Sequence, residues 1–379
     1  MSTATDKLRV PAGLAGVITD DTKVSKVMPE INSLTYRGYP VQDLAEVCSF
    51  EEVAFLLVNE ELPNQKELDA FVAKERSKRA ISTDLLNSIK TFPKKAHPMD
   101  TLRTGVSFLG MEDERTWDSS KDTNQDKFIG MLARIPTIIA ATYRHSIGKD
   151  FIAPKSDLTM SENFFHMCFG KVPAKEIVKA FDVSLILYAE HSFNASTFAA
   201  RVITSTTTDI YSAVVGGIGA LKGPLHGGAN EQVMHMLKEV GEASKAREWM
   251  LDALANKKKI MGFGHRVYRN GDSRVPTMQK YTEKMAKFTG AEKWLEIANI
   301  LNKTMVDEKG IYPNLDFPAG PAYYMMGFEI EMFTPIFVMS RITGWSAHIM
   351  EQNENNKLIR PLSEYTGEGK REITPLTQR

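Results

Sequence analysis

From Val41 onward the apolar residues recur at helical spacing, and this constrains the fold more than any other feature of the chain. Leu44 and Val47 are followed by Val53, Leu56 and Leu57, then by Leu68, Phe71 and Val72. Further on, Val178, Phe181, Leu185, Ile186 and Tyr188 repeat the pattern, as do Ile336, Phe337, Ile342, Trp345 and Ile349. Helices striped in this way hide their apolar faces only by packing on other helices. Start signals agree: Ser49 precedes Glu51-Glu52, Asn194 and Asp209 stand where N-caps belong, and Thr334-Pro335 opens the last long helix. Pro136 is expected to kink or split the helix over residues 128–143. Only residues 8–40, punctuated by Pro11, Gly13, Gly16, Gly38 and Pro40, suit a sheet, with Val17-Ile18-Thr19 and Leu34-Thr35-Tyr36 as strands of a hairpin. The expected fold class is mainly α, with a minor β-hairpin near the N-terminus. At 379 residues, the chain is longer than a single core usually spans, so two domains are expected.

Lys+Arg and Asp+Glu balance at 47 each, which removes the signature of a nucleic-acid binder and leaves anion binding to a few placed cations. Cys48 and Cys168 show no metal or redox spacing, and a reducing compartment suits them. The polar N-terminus and the lack of a long apolar run predict a soluble cytoplasmic protein without membrane contact.

Candidate chemistry lies in five stretches. Gly223-Pro224-Leu225-His226-Gly227-Gly228-Ala229-Asn230-Glu231 puts a histidine on a turn before a helix that Asn230 would cap. The positive end of that helix would keep the ring neutral and able to donate to an oxygen gaining charge, although a plain loop histidine fits this stretch equally well. His191 falls at a helix junction, where a buried structural role is the simplest reading. Lys257-Lys258-Lys259-Ile260-Met261-Gly262-Phe263-Gly264-His265-Arg266-Val267-Tyr268-Arg269 flanks a close-approach glycine loop with cations, and Asp272-Ser273-Arg274 follows. Asp316, among Leu315, Phe317 and three prolines, would be desolvated and made more basic, or would simply cap a helix. Arg341 lies within an apolar helix and calls for an anionic partner. Two other features read as structural: Gly216-Gly217-Ile218-Gly219 belongs to close helix packing, and Glu231 with His235 to a helix-surface pair rather than a metal site.

A base, two neutral donors and several arginines form the inventory for proton abstraction beside a carbonyl and condensation onto a dicarboxylate ketone, with no metal required. The motifs around His226, His265, Asp316 and Ala189-Glu190-His191-Ser192-Phe193-Asn194-Ala195-Ser196-Thr197-Phe198 resemble the citrate synthase family, in the family's order. The likeness also takes in Tyr36-Arg37-Gly38-Tyr39 and Asn356-Lys357-Leu358-Ile359-Arg360.

That resemblance implies Asp316 as the base on acetyl-CoA, His226 as donor to the enolate oxygen, and His265 as donor to the oxaloacetate ketone. It implies oxaloacetate binding by His191, Arg274, Arg341 and Arg360, the last delivered to the partner's site of a homodimer. Coenzyme A, a substrate portion and not a cofactor, would lie along Lys257, Lys258, Lys259, Ile260, Gly262 and Gly264, with Arg269 at its phosphates. It further implies a multi-helical, two-domain fold: residues 1–228 with 327–379 as the large domain, and residues 229–326 as a smaller one closing over the site. Three stretches resemble the 2-methylcitrate synthase branch, which uses propionyl-CoA: His97-Pro98-Met99-Asp100, the His191 motif, and Phe317 directly after Asp316. One methylene is weakly discriminated by a pocket, so acetyl-CoA is expected as substrate with propionyl-CoA accepted too.

Overall fold

The computed structural model describes residues 10–268 and 270–379. The N-terminal sheet has three strands, β1 (Ser25–Met28), β2 (Ser33–Tyr36) and β3 (Tyr39–Pro40), antiparallel in that order with Ser25 opposite Tyr36. It exceeds the expected hairpin by one short strand, and Val17-Ile18-Thr19 stays outside it.

Among the described residues ten α-helices precede the glycine-rich turn: α1 (Val41–Val47), α2 (Phe50–Asn59), α3 (Gln65–Ser77), α4 (Thr83–Thr91), α5 (Pro98–Glu112), α6 (Lys121–Ser146), α7 (Met160–Phe169), α8 (Lys175–Tyr188), α9 (Ala195–Thr204) and α10 (Ile210–Leu221). After the turn come α11 (Ala229–Val240), α12 (Ala243–Ala255), α13 (Val275–Thr289), α14 (Glu292–Lys309) and α15 (Asp316–Met325), which pack largely on one another. The chain then returns as α16 (Phe333–Glu354) against α6, α8, α9 and α10.

Local chemistry explains these boundaries. Ser49 closes a capping box with Glu52 at the start of α2, and Asn194 and Asp209 accept backbone N–H groups at the starts of α9 and α10. α6 does not split at Pro136: the residues around it are buried, and that packing offsets the one missing hydrogen bond. The glycines of α10 admit its neighbours, since a Cβ on Gly216 would lie 2.0 Å from Ile203 of α9 and one on Gly217 3.1 Å from the Trp345 ring of α16. α16 is buried on nearly every side, so it is the axis of the larger helical layer.

The C-terminal end of α8 gathers side chains from distant parts of the chain. Its last carbonyls lack helical partners, as at any helix end. Here Leu187 O accepts from Arg274 Nη1 at 3.3 Å and Tyr188 O from Arg341 Nε at 2.7 Å. Two distant arginines are thereby drawn to one point.

Candidate active site

Gly262 (φ 83°) and Gly264 (φ 77°) occupy the left-handed region, and a Cβ on Gly262 would come within 2.5 Å of Val233. Their loop pairs with residues 312–314. Gly264 N–H donates to Tyr312 O at 2.8 Å, Asn314 N–H to Gly262 O at 2.9 Å, and Asn314 Nδ2 to Gly264 O at 3.0 Å. This bridge between Phe263 and Pro313 was not expected, because so short a pairing leaves no period in the sequence. It sets His265 and Asp316 in one rigid frame.

The hydrogen bonds determine which ring nitrogen of each histidine is free. His226 Nε2 lies 3.3 Å from the Ser196 backbone N–H, which donates to it, and 2.8 Å from Ser196 Oγ. Nε2 is therefore an acceptor, the ring is neutral, and its proton resides on Nδ1. Burial, followed by the charge of Arg341, pushes this imidazole down to about 3. The helix N-terminus facing the ring is that of α9, not of α11 as the sequence suggested. Asn230 does not cap α11 either: Gly228 stands at that position, and the Asn230 side chain is buried within the first turn without a hydrogen-bond partner among the described residues.

His265 is arranged oppositely. Its Nδ1 accepts from Val267 N–H at 3.0 Å and Tyr268 N–H at 3.2 Å, which leaves the proton on Nε2. Burial lowers this ring to about 4, despite the opposing pull of Asp272. His191, 4.8 Å from it between ring centroids, is driven well below the usual histidine range by burial and by Arg274. Its Nε2 is buried with no partner among the described residues.

Asp316 is the first residue of α15, and its Oδ1 accepts the Tyr188 hydroxyl at 2.7 Å. Burial raises the carboxyl to about 6, and the Tyr188 bond pulls against that rise. Among the described residues no anionic side chain hydrogen-bonds Arg341. Its Nε binds a carbonyl, its plane lies 4.7 Å over the Phe337 ring, and its Nη1 is buried without a partner among the described residues. Burial depresses the guanidinium to about 10. Arg274, by contrast, grips Asp272 through Nε at 2.9 Å and Nη2 at 2.6 Å. Burial works against the Asp272 charge, but Arg274 holds that carboxyl well below the usual range. Tyr188, His191, His226, His265, Arg274, Asp316 and Arg341 all line one cavity of about 1180 Å³.

Comparison with known proteins identifies the family of the chain. Residues 13–362 match the family "Citrate synthase, C-terminal domain". The chain belongs to the citrate synthase family. It is 56% identical over 369 residues to 2-methylcitrate synthase of Mycobacterium tuberculosis, covering 97% of this chain and 93% of that protein. It is 55% identical to citrate synthase of Mycolicibacterium smegmatis, covering 98% and 100%. A structure of citrate synthase from Thermoplasma acidophilum, in ternary complex with carboxymethyl coenzyme A and oxaloacetate, superposes with a TM-score of 0.93 at 33% identity over 97% of this chain and 98% of that one. The protein is thus an enzyme of the citrate synthase type, an acyltransferase.

The remaining expected positions divide. Lys259, Ile260, Gly262 and Gly264 line the cleft. Lys257 and Lys258 do not, and Lys258 is held instead by Glu239 at 2.8 Å and sits over the Trp249 ring. Arg269 lies outside the described residues. Arg360 is exposed, just beyond Ile359, whose N–H is tied to Ser205 Oγ at 3.0 Å, and it does not reach the cleft of its own chain. Glu231 faces His97 at 3.2 Å and bonds Thr334, so it does not form the expected pair with His235. Sequence reasoning missed Tyr188, Ser196 and Asp272 as parts of the site. Tyr188 had read as one more apolar position of a periodic helix, and only the i, i+2 spacing of Asp272 and Arg274 hinted at a local ion pair.

Proposed function

We propose that this enzyme condenses a short acyl-CoA with oxaloacetate and then hydrolyses the thioester, giving citrate from acetyl-CoA and 2-methylcitrate from propionyl-CoA. The observation that carries this reading is one cleft holding a desolvated carboxylate, two neutral histidines with free N–H groups and an arginine N–H without a partner. The Asp316 carboxylate takes a proton from the carbon next to the thioester carbonyl. The C–H electron pair forms the carbon–carbon double bond of the enolate and the carbonyl π pair moves to the oxygen, where His226 Nδ1–H stabilises it. The enolate carbon attacks the oxaloacetate ketone, whose oxygen receives a hydrogen bond from His265 Nε2–H. Water then cleaves the thioester and coenzyme A leaves as a thiol. Arg341, Arg274 and His191 hold the oxaloacetate carboxylates, and Arg360 of the partner subunit completes the set, which makes a homodimer the working form. Coenzyme A runs along Lys259, Ile260, Gly262 and Gly264. The reading needs no metal or prosthetic group, since the histidine N–H groups act as the electrophiles.

Residues 229–326 act as the smaller, mobile domain on this reading, in keeping with the mutual packing of α11 to α15. Closure over oxaloacetate would exclude water until the new carbon–carbon bond has formed. The two buried free thiols suit a cytoplasmic location. Among the described residues no helix is long and apolar enough to cross a membrane.

A second reading, a primary preference for propionyl-CoA, has specific support: relatives at 56% and 51% identity are 2-methylcitrate synthases, although one at 55% is a citrate synthase. The deciding experiment measures thiol release from each acyl-CoA with and without oxaloacetate and compares kcat/KM. Release that does not depend on oxaloacetate, or no release from either thioester, would overturn the condensing activity.

A further inference from the structure

We infer that Tyr188 is the positioning residue for the base: its hydroxyl engages one carboxylate oxygen of Asp316, turns the other toward the substrate, and sets how basic that oxygen is. This rests on the reading of Asp316 as the base. Three observations carry it. First, a carboxylate only accepts, so the 2.7 Å contact with Asp316 Oδ1 must be donated by the phenol. Asp316 Oδ2 takes no hydrogen bond among the described residues and belongs to a side chain lining the cavity.

Second, the phenol is held rigidly. Its ring lies 4.2 Å from Phe337 and 6.5 Å from Tyr323 between centroids, at the last residue of α8. Its own carbonyl binds Arg341 Nε, so one residue fixes both the base and a cation expected to hold oxaloacetate. Third, burial and the neighbouring Asp316 push the phenol well above its ordinary value, so it stays a donor throughout the working pH range.

Other charges and phenols act on Asp316: Arg274 and Asp272 from the segment before α13, Arg341 from α16 and Tyr323 on α15. Among the described residues, Tyr188 is the side chain that bonds the carboxylate directly.

The test is the kcat–pH profile of Tyr188→Phe beside wild type, with Asp316→Ala as the inactive control. Losing a neutral donor destabilises the carboxylate, so the acid limb should move upward by about one pH unit, with kcat near that limb about tenfold lower. Oxaloacetate affinity, read by calorimetry, should stay within about twofold, because Arg341 is held by the Tyr188 backbone and not by its hydroxyl. Fluorotyrosine at position 188 preserves the shape and is a stronger donor, so it should move the same limb downward. Acid limbs that coincide with wild type in both variants would overturn the inference while leaving the condensing reading intact. Absence of oxaloacetate-dependent thiol release from wild type would instead overturn the reading on which it rests.

Discussion

Two buried polar regions share α16 and could hardly be treated more differently. At Arg341 the helix presents a guanidinium to the cleft with a carbonyl as its hydrogen-bond partner and one nitrogen unpartnered. Two turns on, His348 lies between Glu190 at 2.9 Å and Glu351 at 3.6 Å. Glu351 in turn bonds Arg201 at 2.8 Å, and Arg201 reaches Asp20 at 2.8 Å. Although Glu190 Oε2 and Arg201 Nε have no hydrogen-bond partner among the described residues, every charge of this second region has an opposite charge in direct contact. The pairing of Arg201 ties it to the fold, whereas the waiting nitrogen of Arg341 suits an anionic ligand; Arg274, paired with Asp272 yet lining the cleft, stands between the two. The two sets of histidines differ in the same sense. Burial drives His226 and His265 down to neutrality, while at His348 the same burial is overcome by Glu190 and Glu351, which hold the ring above its ordinary value.

The largest effect should come from Asp316→Ala, which lowers kcat by about 10³-fold or more while oxaloacetate still binds. Full turnover in that variant would remove Asp316 as the base. Arg341→Met should weaken oxaloacetate binding roughly a hundredfold and yet change folding stability by no more than about 1 kcal/mol, because no ion pair is broken. Arg201→Met tests the other region and should do the reverse. It breaks the Arg201–Glu351 and Arg201–Asp20 pairs, leaving Glu351 with His348, and costs about 3–5 kcal/mol in denaturant unfolding, with the KM for oxaloacetate changed by less than about twofold. If both arginine variants behaved alike, the distinction between a paired and a waiting cation would fail.

The smallest effects are in the pH dependence of stability. His226 and His265 have folded values below the unfolded 6.5, so their contribution is present above pH 6.5 and is lost as pH falls toward about 4 and then about 3. His348 has a raised folded value, so its contribution is full below the unfolded value and is lost as pH rises through the folded one. His226→Gln should therefore flatten the acid side of the stability curve, and His348→Gln should remove stability mainly below pH 6.5. Each slope is at most about 1.4 kcal/mol per pH unit. Melting midpoints measured from pH 4 to pH 8 would separate the two, and parallel curves would contradict the assignment.

Much of the architecture was legible in the sequence. Helical spacing, the caps at Ser49, Asn194 and Asp209, and the packing glycines of α10 all act within a few residues, so local order records them. His226, His265 and Asp316 drew notice because glycine loops and apolar brackets around polar side chains are themselves local patterns. What escaped notice was relational. Ser196 sits 30 residues from His226 and Tyr188 sits 128 from Asp316, and neither spacing has a period. The neutral state of His226 was anticipated, but its cause was assigned to the helix just after it in the chain. The cause lies instead in burial and in α9, which folds back onto the ring.

By itself the sequence determined that this chain would be helical, where most helices begin, and which side chains could carry acid–base chemistry, because these depend on short-range sterics and on the intrinsic chemistry of each residue. The tertiary structure decided which nitrogen of each histidine is free, which arginine is paired and which oxygen of Asp316 takes the Tyr188 hydroxyl. Those depend on donors, acceptors and desolvation supplied by segments far apart in the chain, and they exist only once α8, α9, α15 and α16 meet.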